Sequence, residues 1–236
     1  MPYNPLRFDP MPPPETQSTP TFAEAAACFR AALAVRPPRT LRVDGFRPAA
    51  VLVPLLRRPE GPTLLFTRRT TRVPQHKGEI SFPGGGAEEG EDPVAAALRE
   101  AREEVGLEPA AVEVLGIMDA FPSVSYYVVT PVVAAIASPP ASFEPEAFEV
   151  HEPFEVPLAT LLDPARRTFR LWDPAAGPDA LRTAVRMARM AFEELDPVTG
   201  HHRIWSFDAG PDRNVWGLTA HILKVLIDRS FGPRAG

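Results

Sequence analysis

The sequence predicts an α+β domain, and three observations lead there. Short apolar runs bounded by proline and glycine read as strands, and four proline-free windows are long enough for helices. The two kinds of segment interleave without the regular βα alternation of a doubly wound sheet. Thirty of the 236 residues are proline, more than twice the roughly 5% of average composition. Inside a helix proline removes a hydrogen bond and clashes with the preceding turn, at about 3 kcal/mol. Long helices are therefore confined to residues 21–36, 94–108, 179–196 and 212–232.

The chain begins with a proline-rich stretch, residues 1–20, which reads as an irregular arm in which Pro12-Pro13-Pro14 favours polyproline II. Residues 21–36 follow as an alanine-rich helix with Thr21 as its cap and Pro37-Pro38 as its stop. Ala49–Val53 and Thr63–Thr67 are strands joined by a turn around Pro59-Glu60-Gly61. Residues 94–107 are the second helix. Val112–Met118 and Tyr126–Ile136 are further strands, with Pro131 pointing to an edge or a bulge in the latter. The window 179–196 starts helix-like, and Met190–Leu195 is expected to pair with Arg203–Phe207 across a turn at 196–200. A final amphipathic helix, about 214–230, carries Trp216, Leu218, Ile222, Leu223, Leu226 and Ile227. The expectation is one domain over 21–236.

Composition narrows the function classes. Hydrophobic residues make up 44% and charged residues 23%, an ordinary globular balance, and the net charge is −5. That charge argues against nucleic acid and against an anionic membrane surface as partners. Cys28 is the only cysteine, so an intramolecular disulfide and a cysteine zinc cluster are excluded. No run approaches the ~18 apolar residues of a membrane span, and no secretory signal is visible. A cytoplasmic protein acting on a small molecule is the expectation; a homo-oligomer stays open.

The most informative segment is Phe82-Pro83-Gly84-Gly85-Gly86 through Leu107. Asp92 is a favourable N-cap, Pro93 suits the first helical position, and Gly106 supplies a left-handed stop. At 100° per residue Val94, Leu98, Ala101 and Val105 fall within about 60° and predict a core stripe. Glu100, Glu103 and Glu104 fall on nearly the opposite side. Three carboxylates at i, i+3 and i+4 repel one another, and the bland alternative is a solvated acidic face with Arg99 and Arg102 beside it. A glycine turn just before the helix brings backbone carbonyls close, and hard cations such as Mg²⁺ or Mn²⁺ want such oxygen donors.

Gly85, five residues, Glu91, seven residues, then Arg99-Glu100-Ala101-Arg102-Glu103-Glu104-Val105-Gly106-Leu107 resembles the complete Nudix box, with seven fixed identities and two apolar positions over 23 residues. The resemblance implies the Nudix fold, a mixed-sheet α/β/α sandwich, and metal-dependent hydrolysis of a nucleoside diphosphate linked to another moiety. It also implies Glu100, Glu103 and Glu104 as metal ligands with the Gly85 carbonyl, and Arg99 and Glu91 as braces of the loop.

Upstream, Leu65-Phe66-Thr67-Arg68-Arg69-Thr70 and Gly78-Glu79-Ile80-Ser81-Phe82-Pro83-Gly84-Gly85 resemble the extra motif of Nudix coenzyme A pyrophosphatases, with Pro74 where that motif writes its second arginine. Glu149-Val150 with Phe154–Leu158, and Val215-Trp216-Gly217-Leu218-Thr219-Ala220, look like the same family. The implied reaction cleaves coenzyme A or an acyl-coenzyme A to 3′,5′-ADP and a 4′-phosphopantetheine. Alternatives are another nucleoside diphosphate derivative, such as ADP-ribose or a dinucleotide, and a Nudix-fold binding module without turnover. Arg69, Arg72, His76 and Lys77 suit a phosphate-rich ligand, with a merely solvated loop as the alternative. Glu149 or Glu152 would be the base outside the box. Tyr126 and Tyr127 could stack an adenine, though strand aromatics are more often packing. The four remaining histidines (His151, His201, His202 and His221) read as structural or solvent-exposed.

Overall fold

The computed structural model describes residues 19–70, 78–146, 148, 150–172 and 202–232. The arm up to residue 18, Met190–Leu195, His201 and the predicted site residues Arg72, His76, Lys77 and Glu149 lie outside them. The described elements, in order, are α1 (Phe22–Ala34), β1 (Arg47–Leu56), β2 (Thr63–Arg69), β3 (Ile80–Ser81), β4 (Gly84–Gly86), α2 (Pro93–Val105), β5 (Glu113–Ile117), β6 (Phe121–Pro122) and β7 (Tyr127–Ile136). Then come β8 (Val150–Pro157), α3 (Leu158–Leu162), β9 (Arg167–Trp172), β10 (His202–Asp208), β11 (Asn214–Trp216) and α4 (Gly217–Phe231).

Strands β1 to β8 form one mixed sheet. Its spine is β1 and β7, parallel in register from Arg47 opposite Tyr127 to Leu56 opposite Ile136. The other edge of β1 is shared: β4 lies against Ala49–Val51, and β2 takes over at Leu55 and Leu56. β2 continues outward onto β8. A second, antiparallel sheet runs β11-β10-β9. In it Arg203–Phe207 pairs with Arg167–Leu171.

The apolar runs of β1 and β7 are continuous rather than alternating because both sheet faces are covered. Ala50, Leu52 and Leu56, with Val132, Ala134 and Ile136, pack on one side against Ala97, Ala101 and Val105 of α2. Ala49, Val53 and Leu55, with Val129, Val133 and Ala135, face the other side, where Phe29 of α1 and Leu223, Leu226 and Ile227 of α4 cover them. This is a sheet between helices, a sandwich of mixed topology.

Local chemistry sets the helix ends. Thr21 and Glu24 form a reciprocal capping box, with the Glu24 N–H donating to Thr21 Oγ1 at 3.3 Å and the Thr21 N–H to Glu24 Oε2 at 2.8 Å. α1 lies so close over β5 that a Cβ on Gly116 would stand 2.9 Å from the Leu33 Cβ. Pro131, expected at an edge or a bulge, lies inside β7, and the pairing with β5 shifts register nearby, between Val114 and Gly116. Its carbonyl accepts from the Met118 N–H at 2.9 Å, where the neighbour of β7 changes from β5 to β6. A missing N–H is tolerated there because it lies on that interrupted edge, while the ladder to β1 continues past Pro131 on the other. Trp216 is likewise not part of the apolar face of the last helix. It closes β11 and is 42% exposed.

One buried group gives stability a pH dependence. His221 of α4 packs edge-on to Phe121, ring centroids 5.5 Å apart, and burial lowers its pKa to about 4. Its unfolded value is about 6.5. Above that both states are neutral; below it the unfolded chain takes up the proton and the folded one does not, so stability falls as pH drops from 6.5 toward 4. The expected loss between pH 7 and pH 5 is about 2 kcal/mol. Urea denaturation at the two pH values should show it in the wild type and not in His221→Phe. The carboxylates with depressed pKa values, Glu24, Glu91, Asp119 and Glu155, cost stability only at lower pH.

Candidate functional site

β4 and α2 build the site together. Asp92 caps α2, accepting from the Val94 and Ala95 N–H groups at 2.9 and 3.2 Å. Gly106 ends it at φ +68°, its N–H donating to the Arg102 carbonyl at 3.0 Å while the Leu107 N–H reaches Ala101 at 3.3 Å. That double bond to the last turn needs the left-handed conformation, which glycine adopts without a Cβ penalty.

Between these ends the buried face is turned from the predicted one. Val94 and Leu98 are only partly buried, and Ala96, Ala97, Ala101, Glu104 and Val105 are buried. The three alanines bring the helix axis close to the sheet, and the side chains on their flank go in with them. Glu104, predicted on the side opposite the core stripe, is 4% exposed. Glu103 stays outside, its side chain 59% exposed. The acidic triad thus spans the boundary between core and solvent.

What a buried carboxylate needs is a donor, and β4 provides one. The Leu52 N–H donates to the Pro83 carbonyl at 2.8 Å and the Ala87 N–H to Pro48 at 3.0 Å. Ladder alternation then directs both polar groups of Gly85 to Ala50, and turns those of Gly84 and Gly86 outward. Side chains of α2 meet this outer edge: Glu104 Oε2 accepts from the Gly84 N–H at 3.0 Å, and Arg99 Nη2 donates to the Gly86 carbonyl at 2.9 Å. The predicted Gly85 carbonyl therefore faces β1, and the outward carbonyl beside Glu104 is that of Gly84. Gly85 is required for another reason. A Cβ there would stand 2.6 Å from Glu100 Cδ.

Arg99 gathers the rest. Its Nε and Nη2 donate to the two oxygens of Glu91, each at 3.0 Å, and its Nη1 to Glu100 at 2.9 Å and Glu103 at 3.2 Å. These bonds, led by the Glu91 pair, raise the Arg99 pKa and lower that of Glu91. Glu91 Oε2 also accepts from the Glu88 N–H at 2.8 Å, tying helix, turn and glycine strand into one unit.

The chain's own donor set is oxygen only, which fits a hard divalent cation. Among the described residues no three acidic or histidine side chains converge on a point. Glu100 and Glu103 do converge on a single cationic nitrogen, Arg99 Nη1, so that face already accommodates a shared positive charge.

Arg69, at the end of β2, reaches this unit from the sheet. Its Nη1 lies 3.8 Å from Glu104 Oε1, and among the described residues its buried Nε has no hydrogen-bond partner. Arg68, next in sequence, takes the other face, where it pairs with Glu152 at 3.5 Å. Glu152 is its cross-strand neighbour on β8 and also meets Arg213 at 3.7 Å. Of the two bases expected outside the box, Glu152 is therefore turned away from Arg69 and Glu104.

Comparison with known proteins decides the family. The NUDIX domain profile matches residues 46–172, more than half of the chain. The chain belongs to the Nudix family. Its relatives include the Nudix hydrolase NudL of Escherichia coli K12, 43% identical over 193 residues, covering 81% of this chain and 87% of that protein. NudL of Cronobacter sakazakii is 37% identical over 181 residues, covering 76% and 81%. Both carry the description uncharacterized. Among solved structures, a Caenorhabditis elegans Ap4A hydrolase in a binary complex aligns over 61% of this chain and 98% of its own at 20% identity, with a TM-score of 0.42. The protein is a Nudix hydrolase of mixed α and β structure, from a pyrophosphohydrolase family that generally uses divalent metal ions. Among the described residues no helix is long and apolar enough to cross a membrane.

Sequence reasoning missed two things here. It placed Glu104 on the wrong side of the helix, and the signal that could have corrected it was the run of small residues at 95–97 and 101. It also passed over Arg47, an exposed cation at the head of β1, for which the sequence offers no signal.

Proposed function

We infer that this Nudix hydrolase cleaves the pyrophosphate of coenzyme A or an acyl-coenzyme A, giving 3′,5′-ADP and the (acyl-)4′-phosphopantetheine. The observation that carries the reading is Arg69. It belongs to the segment Leu65–Thr70 that resembles the coenzyme A motif, and it ends beside the buried Glu104 of the Nudix box. A guanidinium there, with a buried N–H to spare, suits a phosphate oxygen.

In the mechanism we assign, Glu100, Glu103 and Glu104 with the Gly84 carbonyl would hold Mg²⁺ or Mn²⁺. A divalent cation in such a site neutralises the diphosphate and makes a bound water more acidic. Glu104 is fixed by the Gly84 N–H, so its position does not drift when charge arrives. Arg99 holds Glu100 and Glu103 in place through one nitrogen while anchoring itself on Glu91 and Gly86. Arg69 contacts a phosphate oxygen, and Glu149 takes the proton from the attacking water. Arg72, His76 and Lys77, by their chemistry, add positive charge for the substrate. Water attacks one phosphorus in line, the bridging P–O bond breaks, and the second phosphate leaves.

Incubation with coenzyme A and Mg²⁺ or Mn²⁺, followed by mass analysis, should yield 3′,5′-ADP and 4′-phosphopantetheine. A chelator should abolish both. Metal-independent turnover would overturn the mechanism.

A further inference from the structure

Beside the glycine strand, on the sheet face away from α2, lies a cluster that the mechanism above leaves unused. Tyr127 opens β7 with its ring 3.8 Å from where a Gly86 Cβ would stand. Arg47 stacks on that ring, its Cζ 4.6 Å from the centroid, and also donates to the Tyr127 hydroxyl. Arg47 is exposed, and among the described residues it has no carboxylate partner. Next to it Tyr126, 48% exposed, meets Phe46 edge-on with centroids 5.3 Å apart.

The backbone of this cluster is strained at Tyr126. Tyr126 has φ +60°, a left-handed conformation that a bulky residue rarely adopts. The surroundings impose it: the Arg47 N–H donates to the Tyr126 carbonyl at 2.9 Å, the Tyr126 N–H to Ser123 at 3.3 Å, and Ser123 Oγ accepts from the Tyr127 N–H at 3.1 Å. Strain held by so many bonds is a sign of a functional position rather than a loose loop.

We propose that this cluster binds the nucleoside half of the substrate, with Arg47 taking a phosphate monoester on the ribose and the Phe46–Tyr126 pair stacking the purine. The inference rests on the coenzyme A reading and names the groups that would read its 3′-phosphate. Three points support it. Val51 faces Gly84 across the β1–β4 ladder, and Arg47 lies four strand residues further on, roughly 13 Å away, a span that a ribose and an arginine side chain bridge together. An exposed guanidinium with no neighbouring carboxylate, already ordered by an aromatic ring, gives up little entropy when it meets a phosphate. A half-exposed tyrosine locked in place offers a stacking face at low ordering cost.

The test measures binding of 3′,5′-ADP and 5′-AMP to the intact protein by calorimetry, alongside turnover of coenzyme A and dephospho-coenzyme A. Wild type should bind 3′,5′-ADP about 10-fold tighter than 5′-AMP. Arg47→Ala should erase that preference, Arg47→Lys should keep part of it, and Tyr126→Ala should weaken both ligands alike. In turnover, Arg47→Ala should raise KM for coenzyme A and not for dephospho-coenzyme A, with kcat little changed. A preference that persists in Arg47→Ala, or one absent from the wild type, overturns the inference even if coenzyme A is hydrolysed. A preference governed by Arg47 in a protein that does not turn over coenzyme A upholds the site and overturns the substrate reading instead.

Discussion

Replacing Glu103 by Gln is expected to cut turnover by on the order of 1000-fold, equivalent to about 4 kcal/mol of barrier, with the melting temperature unchanged. Glu103 combines two properties that its neighbours do not. It belongs to the acidic set on α2, yet its side chain is 59% exposed and its one described contact is the Arg99 Nη1 hydrogen bond at 3.2 Å. An exposed helical ion pair of that kind contributes only a few tenths of a kcal/mol to stability. Loss of activity therefore reports the negative charge itself. Glu104 cannot give so clean an answer, because it is buried and satisfies the Gly84 N–H. Steady-state rates at saturating metal, with thermal unfolding of both proteins, check the prediction; full activity in Glu103→Gln would remove the acidic face from the mechanism.

The second large effect concerns stability. Asp119, between β5 and β6, is 6% exposed. Arg36 donates to both its oxygens, the Arg39 N–H donates at 2.8 Å, and Arg229 donates at 2.8 Å. Burial works to raise its pKa, but the Arg36 bonds, the Arg39 N–H and Arg229 outweigh it and hold the carboxyl well below the usual range. The end of α1, the segment after it, and the end of α4 are thereby fastened to one carboxylate. Asp119→Ala should destabilise the fold by about 3 kcal/mol, since it removes several charge-assisted bonds at once, including that of the Arg39 N–H. Arg36 and Arg229 are both partly exposed, so solvent takes up part of the stranded charge and the loss stays at that level. Chemical denaturation should show a lower midpoint with the same slope. An unchanged midpoint would mean that the cluster is incidental.

The two residues also mark what a linear reading can and cannot reach. Glu103 is legible because the box is a local pattern: its spacing, the Asp92 cap and the Gly106 stop all lie within one helix and its ends. The same local arithmetic misplaced Glu104, since periodicity ranks residues by apolarity while three alanines set how closely α2 approaches β1 and β4. The strands were legible where apolar runs were long, as in β1 and β7. For Pro131 only the edge alternative fails, because a strand edge is a property of pairing, not of the residue. Asp119 gave no signal at all. Its partners lie 80 to 110 positions away, and nothing in the chain near residue 119 announces them. Gly84 rather than Gly85 as the outward carbonyl followed only from the ladder register with β1.

The central claim, that this Nudix hydrolase acts on the coenzyme A pyrophosphate, is tested most directly by comparing kcat/KM for coenzyme A, an acyl-coenzyme A, ADP-ribose and NADH with saturating Mg²⁺ or Mn²⁺. Coenzyme A or its acyl form should lead by at least about 10-fold, a difference in transition-state binding of about 1.4 kcal/mol. An ADP-ribose or NADH value well above both would contradict it.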